Sequence, residues 1–160
     1  MTKINFPYVK SRKGALKIIE LVATILAFST MIAAGNGLTY LRNETYYSRY
    51  DFFLATHVIG CLVSLIISLV HTLSMQDILG TSKIWSYLNL VFCSLLTVLC
   101  GASAGLMIVY AENEHQSLFY KINYPTWRRY TGLRISAITF GFVSSVFYSM
   151  DAVFQFIELS

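Results

Sequence analysis

The residues able to do chemistry in this chain sit where chemistry is costly. Glu20, His57, His71, Asn89 and Asp151 all fall inside or at the edge of long apolar runs, with Lys17 three positions before Glu20. An unpaired charge in hydrocarbon costs about 2.5–3.5 kcal/mol on insertion scales. Such groups are therefore expected to pair, to hold protons or to reach water. Catalytic signatures are missing: there is no His-Glu-x-x-His, no phosphate-binding loop and no Gly-x-Ser-x-Gly. No metal set, catalytic residue or cofactor is implied, and the chain reads as a non-enzyme. Cys61, Cys93 and Cys100 all lie within apolar runs, which excludes a loop disulfide framework.

These residues must be positioned by membrane-spanning helices. Of 160 residues, 56% are hydrophobic and only 12% charged, about half the charge expected of a soluble domain. Four runs, 18–35, 52–73, 87–110 and 135–156, each approach the roughly 20 residues that cross a bilayer as a helix. The expected fold is an all-α four-helix transmembrane bundle over residues 9–157, preceded by a short arm, 1–8. Ala33-Ala34-Gly35 offers small residues for signal cleavage, but the run before it is longer than a signal h-region, so it reads as a retained span.

Four spans put both termini on one side. Lys3, Lys10, Arg12, Lys13, Lys17 and Lys83 flank that side, and Arg42, Arg49, Lys121, Arg128, Arg129 and Arg134 flank the other, a tie at six each. The cluster before the first span decides for cytosolic termini. The same cluster suits anionic lipids, and nothing supports nucleic-acid binding. Asn43-Glu44-Thr45 is then an external glycosylation sequon, with Asn43 close to the membrane. Tyr40, Tyr46, Tyr47 and Tyr50 in the first outer loop, and Phe119, Tyr120, Tyr124, Trp127 and Tyr130 in the second, read as interfacial belts. Leu38-x-Tyr40-x-Arg42 fits a proposed sterol-contact pattern.

Small and polar residues recur at steps of three and four, which puts them on one face of each helix. The stripes are Glu20, Ala23, Ala27, Thr30, Ala34; His57, Cys61, Ser64, Ser68, His71; Ser94, Thr97, Gly101, Gly105; and Ala137, Gly141, Ser144, Tyr148, Asp151, Gln155. They predict a packed polar seam. Gly101 and Gly105 form a Gly-x-x-x-Gly that packs against a neighbouring span or, alternatively, a second copy. Depth adds a further expectation. Lys17, Glu20, His71, Asn89 and Asp151 fall near the cytosolic edge, Asp151 roughly 7 Å inside it at 1.5 Å per residue. They are expected to form one polar layer that clamps the first span to the fourth, while the outer half carries no chain of acids.

Lys13–Phe28, KGALKIIELVATILAF, with YSMDAVFQF in the last span, resembles the MARVEL-domain family, the group that includes MAL, plasmolipin and the chemokine-like factor proteins. The likeness covers residues 9–157. It implies four spans, no catalysis, and a role in vesicle trafficking, sterol-rich membrane domains, and membrane apposition or fusion. The implied location is the plasma membrane or secretory and endosomal vesicles. The absence of loop cysteines points to the small, compact members.

Two other functions compete. His57 and His71 are 14 residues apart, about 21 Å along one helix, a spacing that could serve two b-type haems in an electron carrier. Each haem would need a second axial ligand from a facing span; with His115 in an outer loop, methionine could substitute at one haem, for example Met107 or Met150. Alternatively, an oligomer could translocate protons or ions through Glu20, His71 and Asp151.

Overall fold

The computed structural model describes residues 5–35, 44–75, 81–117, 121 and 125–160. Five helices appear among them: α1 (Phe6–Val9), α2 (Arg12–Gly35), α3 (Glu44–Thr72), α4 (Ser82–Gln116) and α5 (Pro125–Leu159). The last four are each long and apolar enough to cross a membrane. They form an up-down bundle in which α2 packs on α3, α3 on α4, α4 on α5, and α5 back on α2. The α4–α5 and α2–α5 interfaces are the most extensive.

Local chemistry sets the helix ends. Ser11 Oγ accepts from the Gly14 amide at 3.2 Å, an N-cap for α2. Asn5 does the same for α1, accepting from the Tyr8 amide at 3.2 Å. Its own amide reaches the Thr72 carbonyl at 2.7 Å, which fastens the N-terminal arm to the end of α3. α5 opens on Pro125, whose missing N–H costs nothing at a first helical position.

α3, α4 and α5 overrun the expected spans at the end away from the termini, while α2 ends at Gly35 as expected and begins six residues earlier. Each of α4 and α5 has 35 residues, about 52 Å of helix. Residues expected in outer loops are thus helical and packed. Trp127 and Tyr46 are buried, which corrects their reading as interfacial belt residues, while Tyr47 is 48% exposed. Asn43, Leu38, Tyr40, Arg42, Phe119, Tyr120 and Tyr124 lie outside the described residues.

The bundle's outside is apolar: Val22, Ile59, Leu95, Val98, Val146 and Val153 are all exposed, as expected of side chains that meet lipid. Inside, every member of the α5 stripe from Ala137 to Gln155 is buried. The α4 stripe is displaced. Its buried face runs through Asn89, Cys93, Leu96, Cys100, Ala104 and Met107, while Ser94 is exposed and Thr97, Gly101 and Gly105 lie at its flank. Cysteine, alanine, leucine and methionine fill the space between the helices there, so glycines and hydroxyls alone do not mark the buried face. A Cβ on Gly101 would lie 3.2 Å from Ser145 Oγ, whereas one on Gly105 would meet nothing within 4 Å.

Candidate functional site

The buried charged side chains among the described residues gather into two layers, one near each end of the bundle. The inner layer, near the termini, is organised by Lys17. Its ammonium lies 2.8 Å from Glu20 Oε2 one turn along α2, and 2.7 Å from Asp151 Oδ2 on α5. α3 contributes Ser64, whose hydroxyl donates to Glu20 Oε2 at 2.7 Å and lies 3.1 Å from the Tyr148 hydroxyl. α4 contributes Asn89, donating to Asp151 Oδ2 at 3.1 Å, and Cys93, whose sulfur is 3.4 Å from both Lys17 Nζ and Asp151 Oδ2. All four long helices meet there, and Lys17, Glu20, Ser64, Asn89, Tyr148 and Asp151 are each at most 2% exposed. Ligand atoms of Glu20, Cys93 and Asp151 lie within 4.8 Å of one another, as a metal site would need. The Lys17 ammonium stands among them, in the place a cation would take.

Below this layer, the arm closes the terminal end. The Tyr8 ring stacks on His71 at 5.0 Å between centroids. Burial pushes the Tyr8 hydroxyl up to about 12, an effect that Lys17 opposes and that Asp151 and Glu20 reinforce. Lys13 pairs with Glu158, joining the start of α2 to the end of α5.

The outer layer is built on Arg134 of α5. Its Nε and Nη2 approach Glu114 Oε1 of α4 at 2.9 and 2.8 Å, and Nη1 donates to the Tyr46 hydroxyl of α3 at 2.8 Å. Nη1 also lies 3.9 Å from Met31 Sδ of α2, so this layer too touches all four helices. The Glu114 carbonyl, near the α4 terminus, accepts from Trp127 Nε1 at 3.1 Å and from the Ser117 hydroxyl at 2.6 Å. Those bonds satisfy a helix-end acceptor that would otherwise be orphaned.

A family model described as a membrane-associating domain, MARVEL, matches residues 8–154. The chain belongs to the MARVEL family. No curated protein and no solved structure gives a match.

Within this MARVEL bundle, Lys17, Glu20, Asn89 and Asp151 come together, and His71 does not join them. It lies two turns beyond Ser64 on α3, with Nδ1 against the Ile67 carbonyl at 2.9 Å and its ring on Tyr8. Ser64 therefore takes the α3 place expected for His71. His57 sits apart, stacked on Phe53 at 4.1 Å, with Nδ1 2.8 Å from the Phe53 carbonyl. A Cβ on Gly141 would be 3.1 Å from His57 Nε2, so the α5 backbone covers the face a haem iron would need. Neither histidine geometry supports the haem alternative.

The outer layer was not anticipated. The apolar runs place Arg134 among the outer-loop charges, yet it is 1% exposed and paired with a Glu114 that is 0% exposed. Both positions extend the buried stripes by regular steps: Cys100, Met107, Glu114 on α4, and Arg134, Ala137, Gly141 on α5. Following the stripes beyond the apolar runs would have found them.

Proposed function

We propose that this chain is a non-enzymatic organiser of membrane domains, acting in vesicle trafficking, membrane apposition or fusion. The observation that carries this reading is the membrane-associating family match over residues 8–154, on a bundle whose buried Lys17 and Arg134 pair with acids of neighbouring helices. Lys17, Glu20, Asn89 and Asp151 act as a clamp of α2 to α5, and Glu114 with Arg134 as a second clamp of α4 to α5. Such a bundle presents an apolar exterior to lipid and to other spans, while its basic N-terminal arm faces the cytosol and anionic headgroups. Its partners are the bilayer, with sterol-rich or anionic lipids, and other membrane proteins or a second copy. The compartment is the plasma membrane or secretory and endosomal vesicles, and Asn43 is on the external or lumenal side.

The test is a C-terminally tagged protein imaged with and without selective permeabilisation, in cells that also carry a reporter of surface delivery. The expected result is a tag reached only after permeabilisation, on plasma membrane or vesicles, with reporter delivery slowed when the protein is depleted. A tag reached from outside would reverse the orientation, and unchanged delivery after depletion would remove the trafficking role.

A further inference from the structure

The two buried layers differ in charge balance. The outer one pairs a single carboxylate, Glu114, with a single guanidinium, Arg134. The inner one sets two carboxylates, Glu20 and Asp151, against one ammonium, Lys17, and all three are at most 1% exposed. A net buried negative charge is among the costliest arrangements a membrane bundle could hold. Glu20 Oε1 and Asp151 Oδ1 are buried with no hydrogen-bond partner among the described residues, so the neighbouring donors reach only the other oxygen of each carboxylate.

We propose that the inner layer is a proton-binding site, occupied at neutral pH by one proton on Glu20, with Lys17 neutralising Asp151. Donor geometry chooses between the carboxylates. Asp151 Oδ2 receives the Lys17 ammonium and the Asn89 amide in full, and the Cys93 thiol shared with Asn89 Oδ1. Glu20 Oε2 receives Lys17 and a Ser64 hydroxyl that is itself shared with Tyr148. The better-served carboxylate keeps the charge, because hydrogen bonds to an ionised acceptor are the stronger ones. A metal ion in this place would have to displace Lys17 Nζ, which lies within 3.4 Å of an atom of Glu20, Cys93 and Asp151 alike. Other titratable groups face the layer: Tyr8 from α1, His71 from α3, Cys93 from α4 and Tyr148 from α5, with Lys13 already paired to Glu158. Of these, only His71 could instead supply a positive charge at neutral pH, and its ring is held outside the layer against Tyr8.

Infrared spectroscopy of the full chain in lipid nanodiscs reads the proton directly, because only a protonated carboxyl shows a free-acid carbonyl stretch. The expected result is one such band at neutral pH, shifted when glutamate is labelled with carbon-13 on its side-chain carboxyl and unmoved when aspartate is. Glu20→Gln should abolish it while keeping the wild-type melting midpoint, since the amide replaces a neutral acid of the same shape. Asp151→Asn should abolish it too, because Lys17 then neutralises Glu20. His71→Gln should leave it in place. A folded wild type without the band, a band that moves with aspartate labelling, or a band that survives Glu20→Gln would overturn the proposal. So would one equivalent of tightly bound metal per chain that is lost in Cys93→Ser.

Discussion

Lys17 carries more of this structure than its place at the start of α2 suggests. It is 1% exposed and bridges an acid on its own helix to one on α5. Asp151→Leu removes the cross-helix partner and leaves Lys17 paired with Glu20 on its own helix, so what is lost is the α2–α5 tie, a coupling of about 0.5–3 kcal/mol. The variant should insert but show faster proteolysis of the bundle and retention in the early secretory pathway, seen by limited digestion and imaging. The outer layer offers a parallel case. Arg134→Met strands Glu114 and should lower the thermal midpoint, whereas Arg134→Met with Glu114→Leu should recover much of the loss, as measured by circular dichroism melting. The acid in FYSMDAVFQF was legible in the sequence as a member of a shallow layer, because depth follows from span boundaries and 1.5 Å per residue. Its partner was less so. Lys17 and Asp151 are 134 positions apart, and only the α2–α5 packing joins them.

At the scale of elements, helix faces decide what each glycine does. A Cβ on Gly141 would fall 3.1 Å from Ala104, His57 and Phe53 atoms, while Gly105 opens onto free space. Gly141→Leu should therefore prevent compact assembly, and Gly105→Leu should leave the melting curve of the monomer unchanged; gel filtration with circular dichroism distinguishes them. The α5 stripe could be read from residue types, since small and polar groups in lipid turn inward. Beyond Asn89 the α4 stripe could not, because the rest of its buried face is built largely from Cys, Leu, Ala and Met, which look the same as lipid-facing residues. The arm makes its own prediction. Docked Tyr8 ionises at about 12 rather than the ordinary 10.0, chiefly through burial. Its raised value means docking is favoured while the phenol is protonated and is lost as pH climbs from 10.0 through about 12. His71→Ala should move the Tyr8 component of an alkaline absorbance titration, identified by difference from Tyr8→Phe, back toward 10.0.

For the whole molecule, four helices in an up-down ring are tied at both ends by ion pairs and wrapped in apolar side chains. Four spans and the family were legible early, since long apolar runs admit few alternatives. The length of the helices was not, because α4 and α5 continue past the apolar runs on bonds that hydropathy does not register, such as Trp127 to the Glu114 carbonyl. On this reading Lys17 and Asp151 clamp α2 to α5. Thermal unfolding of Lys17→Met, Asp151→Leu and the double variant in one lipid system tests it most directly. Partners in contact couple by about 0.5–3 kcal/mol, whereas independent sites add within a few tenths. The clamp predicts that each single change lowers the midpoint and that the double variant is more stable than the two losses added together. Strict additivity would contradict it.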